Sequence, residues 1–109
     1  MKFTMTEKVK QITGVRKKSF TLATTIYPQS VDSYWSGGSR SEFMVYNLDT
    51  RATTHPNGGS YPWNTPNHYT LGPGDVLIET GTFCGKPATP RFLCLPEELE
   101  RVKTWLGIQ

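Results

Sequence analysis

Long apolar runs, metal-binding motifs and secretion signals are all missing from this chain of 109 residues. No stretch approaches the roughly 18 apolar residues that a membrane-spanning helix needs, and Met1 to Thr4 is not the hydrophobic start of a signal peptide. The sequence therefore predicts a cytoplasmic protein without membrane contact. The motifs HxH, HExxH and paired CxxC do not occur, and the glycine-rich run 36–39 lacks the spacing of a phosphate loop, so we expect neither a metal nor a cofactor.

Aliphatic side chains are sparse, whereas aromatic ones are frequent, with five Phe, five Tyr and three Trp. Aromatic residues bury large areas and favour pleated surfaces. Ten Gly and eight Pro separate short apolar runs, which is typical of a chain with many turns. We therefore predict one domain, residues 1–109, with a mainly β fold. The expected architecture is a small antiparallel β-barrel or sandwich of about five to seven short strands.

A single C-terminal helix is predicted over residues 96–106. Pro96 suits a first helical turn because it has no N–H to leave unpaired, and Gly107 is placed to end the helix in a left-handed conformation. Acidic residues come first and basic residues later, as the helix dipole favours. The apolar side chains at helical spacing are Leu99, Val102 and Leu106.

Several segments show the pattern of strands. Residues 19–27 alternate with a period of two, with Phe20 on the side that we expect to face inward. Residues 42–48 follow a predicted hairpin turn at 36–39, and residues 75–80, which continue through 82–84, follow a Gly-Pro-Gly turn. Residues 92–95 are apolar on both faces, which predicts a central strand.

Residues 7–15 fit two conformations. Thr4 and Glu7 match a capping box, and Gly14 could end a short helix. The β-branched residues Val9 and Ile12 instead suit an extended chain that leads into the next strand. We favour a strand here.

Residues 49–74 form the longest segment without a periodic pattern. Loops longer than roughly 12 to 15 residues are uncommon and tend to be functional or disordered, and aromatic residues argue against disorder. Together with the neighbouring hairpin, this segment supplies the side chains that we predict to bind a partner: Trp35, Arg40, Arg51, His55, Tyr61, Trp63, His68 and Tyr69. Tyr, Trp and Arg dominate protein interfaces, and they also stack bases and hold phosphates.

The positive charge of the chain is concentrated near its N-terminus. Within residues 2–18, a single acid, Glu7, accompanies six of the twelve Lys and Arg residues. Such a segment is usually a solvated face, but it can also bind a polyanion. Contact with nucleic acid, if it occurs, is predicted to involve Lys8, Lys10, Arg16, Lys17 and Lys18.

The two cysteines, Cys84 and Cys94, would face each other if their strands paired antiparallel through a loop at 87–91. A reducing cytosol favours two buried thiols, with a disulfide and a reactive nucleophile as alternatives. A nucleophilic Cys84 would need a base from His55 or His68.

The sequence thus predicts a non-enzymatic β-domain that binds another protein through the 49–74 segment and the neighbouring hairpin. Binding of single-stranded nucleic acid is a variant of that prediction. The alternatives are a small enzyme with a Cys/His pocket, and an accessory or inhibitor protein of a phage or mobile element.

Overall fold

A computed structural model describes residues 2–31, 40–56, 68–83 and 86–108 of the protein. Strand residues outnumber helical ones in these ranges, so the predicted mainly β fold with a C-terminal helix is confirmed. The strands are β1 (Lys2–Thr4), β2 (Ser19–Thr24), β3 (Gln29–Ser30), β4 (Arg40–Asn47), β5 (Thr53–Thr54), β6 (His68–Tyr69), β7 (Asp75–Phe83), β8 (Lys86–Pro87) and β9 (Arg91–Cys94). The helices are α1 (Glu7–Thr13) and α2 (Leu99–Leu106), and a 3-10 turn at Pro96–Glu98 leads into α2.

Seven strands form one sheet in the order β1-β2-β9-β7-β4-β5, with β8 paired to β7 outside this path. The predicted antiparallel arrangement holds for every pair in this sheet except β2 and β9, which are parallel with Leu22 opposite Phe92. Parallel pairing is available because the chain between these strands is long enough for a crossover. In the described ranges the sheet ends on β1 and β5, so it is open and not a closed barrel.

The sheet buries apolar side chains on both faces. Along β7, Val76 and Ile78 point to the face that carries both helices, and Leu77 points to the opposite face, where β3 and β6 form a small second sheet. The buried residues on the helix face are Met5, Val9, Val15, Phe20, Tyr46, Val76, Ile78, Phe92, Cys94, Val102 and Leu106. Those on the opposite face are Val31, Phe43, Val45, Leu71, Leu77 and Leu93.

Strand β9 lies in the interior of the sheet, between β2 and β7. Phe92 and Cys94 are fully buried on the helix face, and Leu93 is buried on the other. The prediction of a central strand covered on both faces is therefore confirmed.

Strand β2 is shorter than predicted. Phe20 is buried as expected and Leu22 is half-buried, but the strand ends at Thr24, which is exposed. Beyond it the chain bends, because the hydroxyl of Thr25 accepts a hydrogen bond from the Tyr27 N–H. Ile26 and Tyr27 are 65% and 71% exposed as a result.

Residues 7–15 were predicted as a strand, and this prediction was wrong because Glu7–Thr13 forms helix α1. The Thr6 hydroxyl accepts a hydrogen bond from the Val9 N–H and so caps the start of the helix. Gly14 ends the helix with φ 74°. Thr13, a poor helix former, donates its hydroxyl hydrogen to the Val9 carbonyl. The cap, the glycine stop and the burial of Val9 together outweigh the weak extended preference of the β-branched residues.

The pairing predicted for the cysteines was wrong as well. In the ladder of β7 and β9, Leu93 lies opposite Leu77 and Phe92 lies opposite Ile78. Cys94 is therefore near the start of β7, whereas Cys84, which is outside the described residues, follows the end of β7. Cys94 is a free, buried thiol.

We expect the Cys94 thiol to react with a thiol reagent only when the protein unfolds. Burial, and secondarily the negative charge of Glu98, raise the pKa of Cys94, so the reactive thiolate forms at a higher pH than in an exposed thiol. The rate of labelling is measured in a Cys84→Ser variant, in which Cys94 is the remaining thiol, with and without denaturant. Rapid labelling of the folded variant at neutral pH would contradict this expectation.

Candidate functional site

The predicted binding residues are distributed over several parts of the fold. Trp35, Tyr61 and Trp63 lie outside the described residues, as does the predicted hairpin turn at 36–39. Arg40 begins β4, but its side chain is not among the described ones. The remaining four lie where the 49–74 segment joins the sheets: Arg51 and His55 flank β5, and His68 and Tyr69 form β6.

The two histidines belong to different sheets. His55 follows β5 at the edge of the large sheet, whereas His68 is exposed on β6, opposite Ser30 of the small sheet. Cys84, the nucleophile in the alternative prediction of an enzyme, is outside the described ranges. Within those ranges no group of three or more His, Cys, Asp or Glu residues is placed to hold a metal ion.

Tyr69 is held by hydrogen bonding within the protein. Its hydroxyl donates to Oδ2 of Asp75 at 3.2 Å, and burial followed by the Asp75 charge raises the pKa of Tyr69. Asp75 also accepts the Gly72 N–H at 2.8 Å and the Asn47 side-chain amide at 2.9 Å. Through these hydrogen bonds Asp75, the first residue of β7, connects β6 to β4. The Tyr69 hydroxyl therefore has a hydrogen-bond partner within the protein.

A groove of about 390 Å³, which we call the β4–β7 groove, lies on the helix face of the sheet. Its floor includes Met44 and Ile78, which belong to the apolar core on that face. The rest of the lining comes from the loop after α1, the chain around β8 and His55. The lining residues are Thr13, Gly14, Val15, Arg16, Lys17, Glu42, Phe43, Met44, His55, Ile78, Thr80, Gly81, Thr82, Pro87, Ala88 and Pro90.

A second groove of about 680 Å³, which we call the helix groove, lies between α1 and α2. The rings of Tyr46 and Trp105 stack along it, with centroids 5.1 Å apart and planes 10° from parallel. The Trp105 indole N–H is buried without a hydrogen-bond partner in the described ranges, so packing positions this ring. The lining residues are Lys8, Ile12, Tyr46, Leu48, Arg51, Arg101, Thr104 and Trp105.

The two grooves lie side by side along β4. Met44 of the first groove and Tyr46 of the second are successive residues on one face of that strand, and Ile12 and Thr13 are neighbours on α1. Strand residues rise about 3.3 Å each, so the lining from Glu42 to Leu48 extends over roughly 20 Å. We refer to the two grooves together as the basic face.

Positive charge dominates the basic face. Among the described residues that line it, six side chains carry a formal charge and five of these are cationic, namely Lys8, Arg16, Lys17, Arg51 and Arg101, whereas Glu42 is anionic. Arg101 is paired with Asp49 and Glu98. Among the described residues, the other four cations have no ion-pair partner. Cations therefore outnumber acids among the described side chains of the basic face.

The five predicted basic contacts are only partly assembled there. Lys8, Arg16 and Lys17 line the basic face. Lys10 lies 3.5 Å from the carboxylate of Glu7, and Lys18 is exposed outside both grooves. Sequence reasoning missed Tyr46, Trp105 and Arg101, because they carry no motif and Tyr46 is far from the other two in the chain.

Arg51 has an unfavourable backbone conformation. Its φ of 59° is in the left-handed region, where a residue with a side chain costs about 1 to 2 kcal/mol. Its N–H donates to the Asn47 carbonyl at 2.8 Å, which closes the turn between β4 and β5. Arg51 thus places its guanidinium at the helix groove from a strained turn, and it has no ion-pair partner within the described residues.

Replacement of Arg51 by glycine is expected to leave a more stable protein than replacement by alanine, by about 1 kcal/mol. Glycine adopts positive φ without strain, whereas alanine retains the strain and, like glycine, removes the charge. Urea denaturation followed by circular dichroism compares the two variants. An alanine variant as stable as the glycine variant would show that the turn does not hold Arg51 in this conformation.

Comparison of the chain with protein-family models, curated proteins and solved structures finds no match. No helix in the described part of the chain is long and apolar enough to cross a membrane.

Proposed function

We propose that this protein is a non-enzymatic binding module that holds single-stranded nucleic acid along the basic face. The observation that carries the proposal is the charge of the two grooves: their described lining includes four cations without an ion-pair partner in the described ranges, Lys8, Arg16, Lys17 and Arg51, and one acid, Glu42. The chain as a whole has twelve cationic and nine acidic residues, so the grooves are far more basic than the average composition. Cationic grooves that follow a phosphate backbone are the main feature of such binding sites.

The shape of the basic face supports a chain-like ligand. The lining of the two grooves follows β4 from Glu42 to Leu48 over roughly 20 Å, which suits an extended strand better than a compact small molecule. Arg51 and His55, at the start of the 49–74 segment, lie at the two grooves. Tyr61 and Trp63 of that segment remain the proposed stacking residues, as aromatic side chains supply sequence-tolerant contacts with bases.

The proposal is tested by fluorescence anisotropy with a labelled single-stranded DNA of mixed sequence. We expect binding at low salt, and an affinity that falls as salt rises because counterions are released. The double variant Arg16→Ala/Lys17→Ala is expected to bind about tenfold more weakly and to lower the salt slope by about 1.4, or 0.7 for each lost phosphate contact.

Lys2→Ala is the matched control, since Lys2 is exposed on edge strand β1 and lines neither groove. It should retain most of the affinity. Absence of binding at low salt would end the proposal, and an equal loss in the control would place the contact elsewhere.

A second candidate function, contact with another protein as a binding or accessory module, is favoured by the bend after β2. Ile26 and Tyr27 are large apolar side chains that stay 65% and 71% exposed. The bend is held by the Gln29 side-chain amide, which donates to the Thr25 hydroxyl at 2.7 Å and to the Tyr27 carbonyl at 3.1 Å. Rigid, exposed apolar side chains are effective anchors in protein interfaces.

The two candidates are separated by affinity capture from a cell lysate with the Ile26→Ser/Tyr27→Ser and Arg16→Ala/Lys17→Ala variants. A protein bound by the wild type and lost only with the first variant supports contact through the bend. A lysate protein lost only with the second variant would instead point to an acidic protein on the basic face.

A further inference from the structure

Glu42 is the single formally negative side chain among the described residues that line the basic face. It lies on β4 opposite Thr80 of β7, and Thr82 follows on the same side of β7. These three residues form a polar strip in the β4–β7 groove, next to the apolar surface of Met44 and Ile78. The groove therefore combines a flat apolar surface with one carboxylate and two hydroxyl groups.

A carboxylate in the path of a phosphate backbone repels the ligand, and this repulsion lowers affinity unless the carboxylate also accepts hydrogen bonds from the ligand. An ionised carboxylate accepts hydrogen bonds and donates none. Glu42 and Thr82 each have an interaction within the protein. Glu42 is exposed, so its carboxylate, which has about four acceptor positions on its two oxygens, is within reach of a ligand donor.

We infer that the β4–β7 groove binds one base and selects a base that carries an exocyclic amino group, with Glu42 as the acceptor. This inference rests on the proposed function. A volume of about 390 Å³ is at the lower end of the range for ligand pockets, which suits one ring. Cytosine donates from its amino group at the position where uracil has an acceptor oxygen, so the carboxylate attracts the first base and repels the second.

The inference is tested with oligonucleotides of deoxycytidine and of deoxyuridine of about 12 nucleotides, within the site size of a small β-domain. The two probes have the same backbone charge and similar ring size, so a difference in affinity reports the contact with the base. Wild type is expected to bind the cytidine probe about tenfold more tightly at neutral pH, which is the lower range for one good base contact.

In the variant Glu42→Gln we expect this preference to fall to about twofold or less, since the amide both donates and accepts. Affinity for the deoxyuridine probe should rise because a negative charge has left the groove. Glu79→Gln is the matched control. It removes the same charge from the opposite face of β7, where Glu79 lies 3.0 Å from Arg91, and should leave the preference unchanged.

The possible outcomes separate the inference from the proposed function. Binding of both probes with equal affinity by the wild type would overturn the selection of bases while leaving the polyanion site intact. Failure of both probes at low salt would overturn the proposed function and the inference with it. A preference that persists in Glu42→Gln would assign the selection to other residues. Thermal unfolding confirms that the variants are folded in each case.

Discussion

Replacement of Phe92 by alanine is expected to lower the free energy of unfolding by about 3 to 5 kcal/mol, the usual range for a large aromatic side chain in a core. Phe92 is fully buried on the interior strand β9. Its ring contacts that of Phe20 at a centroid distance of 4.7 Å and that of Trp105 at 6.5 Å. Removal of the Phe92 ring therefore leaves a cavity between strands β2 and β9 and helix α2.

Domains of this size are stable by about 5 to 15 kcal/mol, so the Phe92→Ala variant is expected to lose from about a fifth to all of its stability. Urea denaturation monitored by circular dichroism measures the loss. Phe3→Ala is the matched control, because Phe3 also contacts the Phe20 ring, at 5.8 Å, but is half-buried on edge strand β1. Equal losses for the two variants would indicate that β9 is not the centre of the core.

Replacement of Gly74 by alanine has the second largest expected effect, a loss of about 1 to 3 kcal/mol. Gly74 has φ 81°, which costs a residue with a side chain about 1 to 2 kcal/mol. A Cβ atom at this position would also lie 2.7 Å from Oδ2 of Asp49. Relief of that overlap moves the exposed Asp49 side chain away from its ion pair with Arg101, and loss of an exposed ion pair costs up to about 1 kcal/mol.

Gly14→Ala separates these two contributions. Gly14 has a similar φ of 74°, but a Cβ atom there would meet no atom within 4 Å. The Gly14→Ala variant is therefore expected to lose only about 1 to 2 kcal/mol of the free energy of unfolding, which is the cost of the left-handed backbone conformation. In an Asp49→Ala background the Gly74→Ala change should cost no more than Gly14→Ala. A loss as large in that background as in the wild type would exclude the overlap with Asp49 as its cause.

Much of the fold could be predicted from local patterns. The proline, charge order and glycine around 96–106 predicted helix α2, and Gly107 ends it with φ 80° as expected. The doubly apolar stretch at 92–95 predicted the interior strand β9. The error at residues 7–15 arose because the helical cap and the β-branched residues give opposing and similarly small preferences, which burial of Val9 then decides.

The candidate site was predicted less completely. The clustering of cations at the N-terminus pointed to Lys8, Arg16 and Lys17, and the long segment pointed to Arg51 and His55. That these two sets border adjoining grooves on one side of β4 was not predicted, since it depends on how α1 packs on the sheet. The position of Glu42 in the β4–β7 groove was not predicted either, because its place opposite Thr80 follows only from the register of β4 and β7.

The sequence by itself determined helix α2, the strand character of β2, β4 and β7, and the burial of β9 on both faces, since caps, turns and alternation act over a few neighbouring residues. Only the tertiary structure decided that β2 pairs parallel with β9, and that the register of β7 and β9 places Cys94 away from the end of β7. It also decided that cations from distant parts of the chain lie together on the basic face. These arrangements join residues far apart in the chain. They are selected by the combined burial of both faces of the sheet, which no local pattern records.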